Sequence, residues 1–316
     1  MVSVGSRGKC IVFSVVIRRL LETVFVLWLA VTLSFIALQC APGDPAQALL
    51  AASGATSEEI AARRAQLGLD DPLPVQYGRY LFDLLRGDLG ESWLHGRAVG
   101  RMIWEQLPPT VELAVAATLV GIGLGTLLGV LAAIRQSGWV DIITTALAVV
   151  GLSTPTYWSG LLVILVFSLH LRWLPATGEG GIRHLLLPAG VLGFALAGSI
   201  ARVVRVQVLE VLRAPFVLAA RARGLPAWRV ICVHVLRAAM GPALAVTALQ
   251  LGFLLSGAVV TESVFARRGL GQLTVQAILW RDLPVVRGVG VVSALAYALT
   301  GLGADLLQTW LDPRLR

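Results

Sequence analysis

The sequence predicts an all-α membrane protein with about six transmembrane helices. Hydrophobic residues make up 57% of the 316-residue chain and charged residues only 14%, whereas soluble domains carry about a quarter charged residues. The apolar residues also come in long runs that lack Asp, Glu, Lys and Arg. A helix needs about 20 apolar residues to cross the hydrocarbon of a bilayer, so these runs are the candidate spans.

Six charge-free runs reach or approach that length. Four are long enough by themselves, and two hold 17 residues each, so their flanking charges must extend to the membrane surface. The six runs are Thr23–Ala41, Leu113–Ile134, Ile142–Leu171, Leu185–Ala201, Ala238–Thr261 and Gly288–Ala304. An even number of spans places both termini on the same side of the membrane.

The distribution of basic residues predicts which side that is. With the N-terminus inside, 14 of the 26 basic residues lie on inner segments, and six lie in or beside short outer loops. Cytoplasmic loops carry the excess of arginine and lysine, so both termini are predicted to be cytoplasmic. The first apolar run exceeds the usual length of a signal peptide core, which favours an uncleaved first span.

The chain is therefore predicted to have four parts. Residues 1–19 form a cytoplasmic segment, 20–41 the first span, 42–107 a long outer loop, and 108–316 a transmembrane domain of five helices.

The long outer loop is predicted to be a small, mainly helical subdomain. It holds nine acids and six arginines. Ser57-Glu58-Glu59 before Ile60 is typical of a capped amphipathic helix, and Tyr77–Leu85 carries apolar residues at helical spacing. Two functions stay open for it: a lid or spacer, and a docking surface for a substrate-delivering protein.

Several kinds of chemistry are disfavoured by the composition. A P-loop needs a lysine that reaches the phosphates, and the only lysine, Lys9, lies in no such motif. The arginines lie between apolar blocks, so the net charge of +8 reflects helix ends and not nucleic-acid binding. The cysteines and histidines are too scattered for a disulfide framework or a metal site: Cys10, Cys40, Cys232, His95, His170, His184 and His234.

Two alternative classes of membrane protein need features that the spans lack. An intramembrane enzyme needs a catalytic pair at membrane depth, and a secondary active transporter needs a coupling-ion site near the midplane and inverted repeats. The charged residues of the spans lie near span ends and are not obviously paired. Glycines of the second span and Pro155 could line a pathway, but close helix packing is the favoured interpretation for the glycines.

The inner loop at about 206–237 is the most informative segment. Seven arginines and one acid occupy Arg202–Arg237. Pro215 suits the first position of a helix and Gly224 suits a C-terminal stop, which predicts a helix of about two turns. On such a helix Phe216, Ala219, Ala220 and Arg223 follow helical spacing along one side. Spacing alone leaves a lipid anchor, a simple turn and a partner-docking element open.

This inner loop resembles the EAA loop of ABC importer permeases. Leu218-Ala219-Ala220-Arg221-Ala222-Arg223-Gly224 is followed by His234–Pro242, a version similar to the dipeptide/oligopeptide/nickel branch of the family. The chain departs from the pattern at Leu218, which replaces its glutamate, and at Arg223, which replaces its lysine. It also has Ala239 where asparagine is common, and residues 266–271 lack the proline that the family has there. Further family motifs occur in the same order along the chain: Ala41–Pro45, Leu67–Asp70, Gln76–Tyr77, Gly87–Gly90, Leu107–Thr110, Trp173–Pro175, Leu187–Pro188, Gly257–Phe265, Gly269–Gly271, Arg281–Val286 and Asp312–Arg316.

The resemblance implies a type I ABC importer permease fold in a multi-pass protein of the bacterial inner membrane. It implies a non-catalytic translocation subunit that binds no cofactor itself, with ATP and Mg bound by two partner ABC ATPase subunits. The other implied partners are a second homologous permease chain, an extracytoplasmic substrate-binding protein and the lipid bilayer, with no nucleic acid. The implied substrates are dipeptides or oligopeptides, or nickel or another metal chelate, with peptides slightly favoured.

The resemblance also implies which residues couple this chain to an ATPase. Ala219, Ala220 and Gly224 are implied to be contact or turn positions. Arg221, Arg223 and, beyond the short helix, His234 are implied to be charge partners for the ATPase. The full set of predicted coupling residues is Phe216, Ala219, Ala220, Arg221, Ala222, Arg223, Gly224 and His234.

Overall fold

The structure is a computed structural model that describes residues 4–39, 46–47, 56–66, 68–255 and 258–311. Within those ranges, all the secondary-structure elements of several residues are helices. In chain order the helices are α1 (Val4–Gln39), α2 (Ser57–Gln66), α3 (Leu73–Leu85), α4 (Val99–Ile134), α5 (Trp139–Ser153), α6 (Thr156–His170), α7 (Ile182–Leu212), α8 (Pro215–Ala222), α9 (Ala227–Leu255), α10 (Val259–Val264), α11 (Leu270–Leu279) and α12 (Leu283–Leu311).

The predicted helical membrane fold is confirmed, with a difference in the count of spans. Among the described residues, four helices are long and apolar enough to cross a membrane: α4, α7, α9 and the Leu283–Ala304 part of α12. The pair α5 and α6 gives a fifth span if it crosses as one unit. The first predicted span lies within α1, whose apolar part, Leu21–Ala37, is shorter than these four.

The third predicted span, Ile142–Leu171, is wrong as a single straight helix. The chain bends by 106° between α5 and α6, at Thr154 and Pro155. Proline disfavours helical backbone in the residue before it, and Thr154 is extended with φ −81° and ψ 125°. The absence of charged residues predicts that a segment is apolar, but it does not predict where a helix breaks within that segment.

Other predicted boundaries differ because helices continue past the ends of their charge-free runs. α1 begins at Val4, so most of the predicted segment 1–19 is helical. α4 begins at Val99, before the predicted boundary at 108, with Pro108 and Pro109 inside it. The inner loop is shorter than 206–237 because α7 runs to Leu212 and α9 begins at Ala227. Charged residues that flank an apolar run remain helical once they reach the polar surface.

At its other end, α9 stops before the predicted end of the fifth span. It ends at Leu255, residues 256–257 lie outside the described residues, and α10 begins at Val259. Residues 259–261, which the charge-free run places in the fifth span, therefore belong to the separate short helix α10.

Three glycines of α4 form a close seam with α7. A Cβ atom on Gly121, Gly125 or Gly129 would lie 2.6–2.8 Å from atoms of α7 such as the Ile200 Cβ and the Ala201 carbonyl oxygen. Glycines allow helix backbones to approach closely in membranes. The packing interpretation therefore holds for these three glycines, and α4 and α7 run side by side in the same direction.

The outer loop folds into α2 and α3, as predicted. The cap of α2 is Thr56 and not Ser57: the Glu59 amide donates to Thr56 Oγ1 at 3.4 Å, and the Thr56 amide donates to Glu59 Oε2 at 2.8 Å. This reciprocal arrangement is a capping box.

The outer helix α3 rests on α1, the first helix of the chain, close to α12, the last. Tyr77 of α3 and Thr32 of α1 share a hydrogen bond of 2.6 Å, and the ring of Tyr80 stacks on that of Phe35. The guanidinium carbon of Arg287 in α12 lies 4.8 Å from the centre of the Phe35 ring. The outer subdomain is thus packed against α1 and α12.

Candidate functional site

The short helix α8 begins and ends where the sequence predicts. Pro215 occupies its first turn, where a missing N–H costs no helical hydrogen bond. Gly224 has φ +77°, a left-handed conformation that glycine adopts without steric cost. Two closing bonds run from the Gly224 amide to the Arg221 carbonyl at 2.9 Å and from the Leu225 amide to the Ala220 carbonyl at 3.4 Å.

One side of α8 is inserted between the C-terminal end of α7 and the N-terminal end of α9, which are the predicted inner ends of these helices. Val217 is completely buried and Ala220 nearly so. Both belong to a core cluster that also contains Val208 of α7 and Val230 and Val235 of α9. Helical spacing groups Ala220 with Phe216 on one side of the helix, whereas the structure buries the Ala220 side chain and exposes that of Phe216.

The remaining predicted residues of the short helix and its end are exposed. We call these exposed residues of the loop the docking face: Phe216, Leu218, Ala219, Arg221, Ala222, Arg223 and Gly224. His234 is half-buried on α9, in a π-helical turn that spans Val230–Val235. The structure thus brings seven of the eight predicted coupling residues to α8 and its end, and leaves His234 on the neighbouring helix.

The charge on the docking face is unbalanced. Neither Arg221 nor Arg223 forms an ion pair with any side chain that the structure describes. Nearby, the exposed ring of Trp228 lies under the Arg229 guanidinium, 5.4 Å from ring centre to guanidinium carbon. An exposed apolar surface beside unpaired cations is suited to bind an acidic groove on another protein.

A second cluster, which sequence reasoning missed, lies where α4 meets the outer segment that comprises α10, α11 and their connection (residues 259–279). The Glu262 carboxylate is fully buried. Its Oε1 accepts a hydrogen bond from Thr110 of α4 at 2.7 Å, and its Oε2 accepts from the Gly271 and Gln272 amides at 2.8 and 3.3 Å. Thr110 Oγ1 in turn accepts from the Leu270 amide at 2.9 Å. We call these residues the outer cluster.

The glycines of the outer segment make this cluster possible. A Cβ on Gly269 would lie 2.4 Å from the Glu262 carboxylate, and one on Gly271 would lie 2.5 Å from the Val259 Cα. Arg267, which is also buried, pairs with Glu112 of α4. Burial raises the pKa of the Glu262 carboxyl, and the hydrogen bonds from Thr110, Gln272 and Gly271 partly offset this rise.

The sequence contained one signal for the outer cluster. Thr110, Glu262 and Gly269–Gly271 all lie within motifs of the family resemblance. What the sequence does not show is that residues 152 positions apart meet in one hydrogen-bonded group.

Comparisons with known proteins agree with this architecture. Two family models match the chain: the N-terminal membrane component of binding-protein-dependent transport systems over residues 12–114, and the inner membrane component of these systems over residues 125–316.

Full-length relatives carry transport names. A Brucella abortus (strain 2308) protein named as a peptide transport system permease is 36% identical, over 96% of this chain and 99% of its own. An Escherichia coli K12 protein named as a D,D-dipeptide transport system permease is 40% identical, over 90% and 92%. A glutathione transport system permease protein of Salmonella paratyphi A is 37% identical, over 95% and 98%.

A solved structure supports the fold. A chain from the inward-facing MetNI methionine ABC transporter superposes with a TM-score of 0.57 at 18% identity, covering 66% of this chain and 96% of that chain.

The fold and the inner loop define a multi-pass membrane subunit of the type I ABC importer permease class. The chain belongs to the family of binding-protein-dependent transport system inner membrane components. It is accordingly an inner-membrane protein, and its relatives are named as transport system permease proteins.

Proposed function

We propose that this chain is one of two homologous permease chains in an ATP-driven peptide importer, and that α8 docks onto a separate ATPase subunit. The docking face carries this proposal: it is exposed and cationic, while the opposite side of the same helix is buried between α7 and α9. ATP and Mg belong to the ATPase subunits, and both termini of this chain lie in the cytoplasm.

The attachment of α8 suits the transmission of movement. Val217 and Ala220 contact the inner ends of two long helices in one buried cluster. Close-packed interiors transmit displacement and do not absorb it. A force that the ATPase applies to α8 therefore moves α7 and α9 together, which is the kind of two-state element that coupling requires.

The outer subdomain is proposed as the docking surface for an extracytoplasmic substrate-binding protein. Its helix α3 exposes large apolar side chains, among them Leu73, Phe82 and Leu85, while its other side packs on α1 and α12. Apolar residues on the outside of a packed helix are typical of a protein-binding surface. We assign these roles to the four predicted parts of the chain, so that the loop at 42–107 binds the substrate-binding protein and the part at 108–316 forms the pathway and the ATPase contact.

Peptides are the proposed substrate because three relatives are named for peptide, D,D-dipeptide and glutathione transport. Nickel or another metal chelate is the alternative substrate class. A secondary active transporter is disfavoured because the family belongs to binding-protein-dependent systems.

The test of docking is co-purification of the chain with its ATPase. The tagged chain is extracted from its native membrane in mild detergent, with Phe216→Ala as the variant and Phe82→Ala as the matched control. Both phenylalanines are about half exposed, at 47% and 53%, and lie on different loops. We expect Phe216→Ala to lose most of the ATPase and Phe82→Ala to retain it, because only Phe216 anchors the docking face.

Equal recovery of the ATPase with both variants would show that α8 is not the docking element. Ala220→Glu is unsuitable for this purpose, because the buried Ala220 side chain would place a charge in the core. Peptide uptake by vesicles that contain the complex then tests the substrate class, with nickel uptake as the contrary result.

A further inference from the structure

A groove opens where α4, α5 and α7 meet, near the charged end of α7. Its volume is about 110 Å³. Leu128 and Ala132 of α4 and Ala148 and Val149 of α5 form apolar walls, and Arg202 and Arg205 of α7 lie along the same groove. A groove with apolar walls and a cationic side is chemically complementary to an amphipathic ligand with an anionic head.

The level of the groove in the membrane follows from an ion pair. Arg205 Nη2 donates to Asp141 Oδ2 at 2.9 Å and Arg205 Nε to Asp141 Oδ1 at 3.0 Å. Asp141 lies in the first turn of α5, which begins at Trp139. Trp139 is 81% exposed, and exposed tryptophans mark the boundary between membrane and water. Arg205 is therefore held at that boundary.

Arg202 lies one turn deeper along α7, and it is the groove's free cation. The charge-free run of α7 ends at Ala201, immediately before it. Arg202 is exposed and forms no ion pair with any side chain in the described ranges, whereas Asp141 balances Arg205. From one turn below the boundary, the long side chain of an arginine reaches up to the lipid phosphates, and basic pockets between transmembrane helices bind anionic headgroups.

We propose that this groove is a binding site for an anionic phospholipid. The lipid phosphate accepts hydrogen bonds from the Arg202 guanidinium, and one acyl chain lies along the wall formed by Leu128, Ala132, Ala148 and Val149. The Arg205–Asp141 pair fixes α5 against α7 and so keeps the groove open. This inference does not depend on which solute the chain transports or on the ATPase docking proposed above.

The experiment measures lipid binding to the purified, delipidated protein by native mass spectrometry. The probes are dioleoyl phosphatidylglycerol, dioleoyl phosphatidylcholine and glycerol phosphate, the last being a headgroup without acyl chains. We expect phosphatidylglycerol to bind more tightly than the other two. Arg202→Gln should weaken its binding by about tenfold, because one charge-assisted hydrogen bond is lost.

The matched control is Arg183→Gln, which removes one exposed arginine from the opposite end of the same helix. It should leave phosphatidylglycerol affinity unchanged, and Arg202→Lys should retain much of it. Equal affinity in Arg202→Gln and wild-type protein would overturn the proposal. So would equal binding of phosphatidylcholine, which would remove the role of charge, or of glycerol phosphate, which would remove the role of the acyl groove.

Discussion

The docking face of the inner loop and the outer cluster treat charged groups in opposite ways. The buried Glu262 carboxylate receives hydrogen bonds from one hydroxyl and two backbone amides. Arg221 and Arg223 are exposed and have no partner among the described side chains. A buried charge without partners is costly, so the outer cluster has to be complete within the chain. The exposed arginines of the inner loop need no partner within the chain, because water solvates them.

The largest expected effect is on the outer cluster. Glu262→Ala leaves the Thr110 hydroxyl and the Gly271 and Gln272 amides without an acceptor, and it leaves a cavity. We expect a loss of about 3 kcal/mol in the free energy of unfolding, seen as a lower apparent Tm in detergent. The control is Glu210→Ala, which removes an exposed acid. An unchanged Tm for Glu262→Ala would mean that the cluster does not stabilise the outer segment.

A smaller loss is expected when the same cluster is crowded. Gly269→Ala places a methyl group 2.4 Å from the Glu262 carboxylate, so one of them must move at a cost of about 1–3 kcal/mol. Gly123→Ala is the matched control, since a Cβ there meets nothing within 4 Å. Thermal unfolding of both variants checks this, and equal Tm values would contradict the close approach.

The smallest effect on stability is expected at the docking face. Arg221→Gln removes a solvated charge that has no described partner, so the free energy of unfolding should change by less than about 0.5 kcal/mol. Recovery of the ATPase with the tagged chain should nevertheless fall. A marked drop in Tm without loss of the ATPase would reverse the comparison between the two regions.

The sequence predicted the parts of the molecule that depend on local chemistry. Pro215 and Gly224 bound α8 as expected, because proline and glycine act through their own backbone conformations. The inward side of α8 was not predicted, since spacing groups residues on one side of a helix without indicating which side meets the core. Ala220 is small enough to suit either environment, and only the neighbouring α7 and α9 decide between them.

Long-range pairing was beyond the sequence. Glu262 stands among apolar residues at the end of a predicted span, and nothing local distinguishes an interfacial charge from a buried one. The contact with Thr110 depends on the α4 helix beginning at Val99, well before its charge-free run. The bend at Pro155 was not predicted for a related reason. A long apolar run predicts a single helix, although Pro155 disfavours helical backbone in the residue before it.

The glycine seam between α4 and α7 makes these two helices a single rigid unit. At Gly121, Gly125 and Gly129, side chains and carbonyl oxygens of α7 occupy the space that a Cβ atom of α4 would need, so the two helices are closely interlocked there. α4 extends over 36 residues, about 54 Å at 1.5 Å per residue, and Thr110 lies towards its outer end. α7 leads at its inner end into α8. On the proposed coupling, a displacement of α8 by the ATPase should tilt α7 and α4 together and so move Thr110 relative to the Glu262 carboxylate.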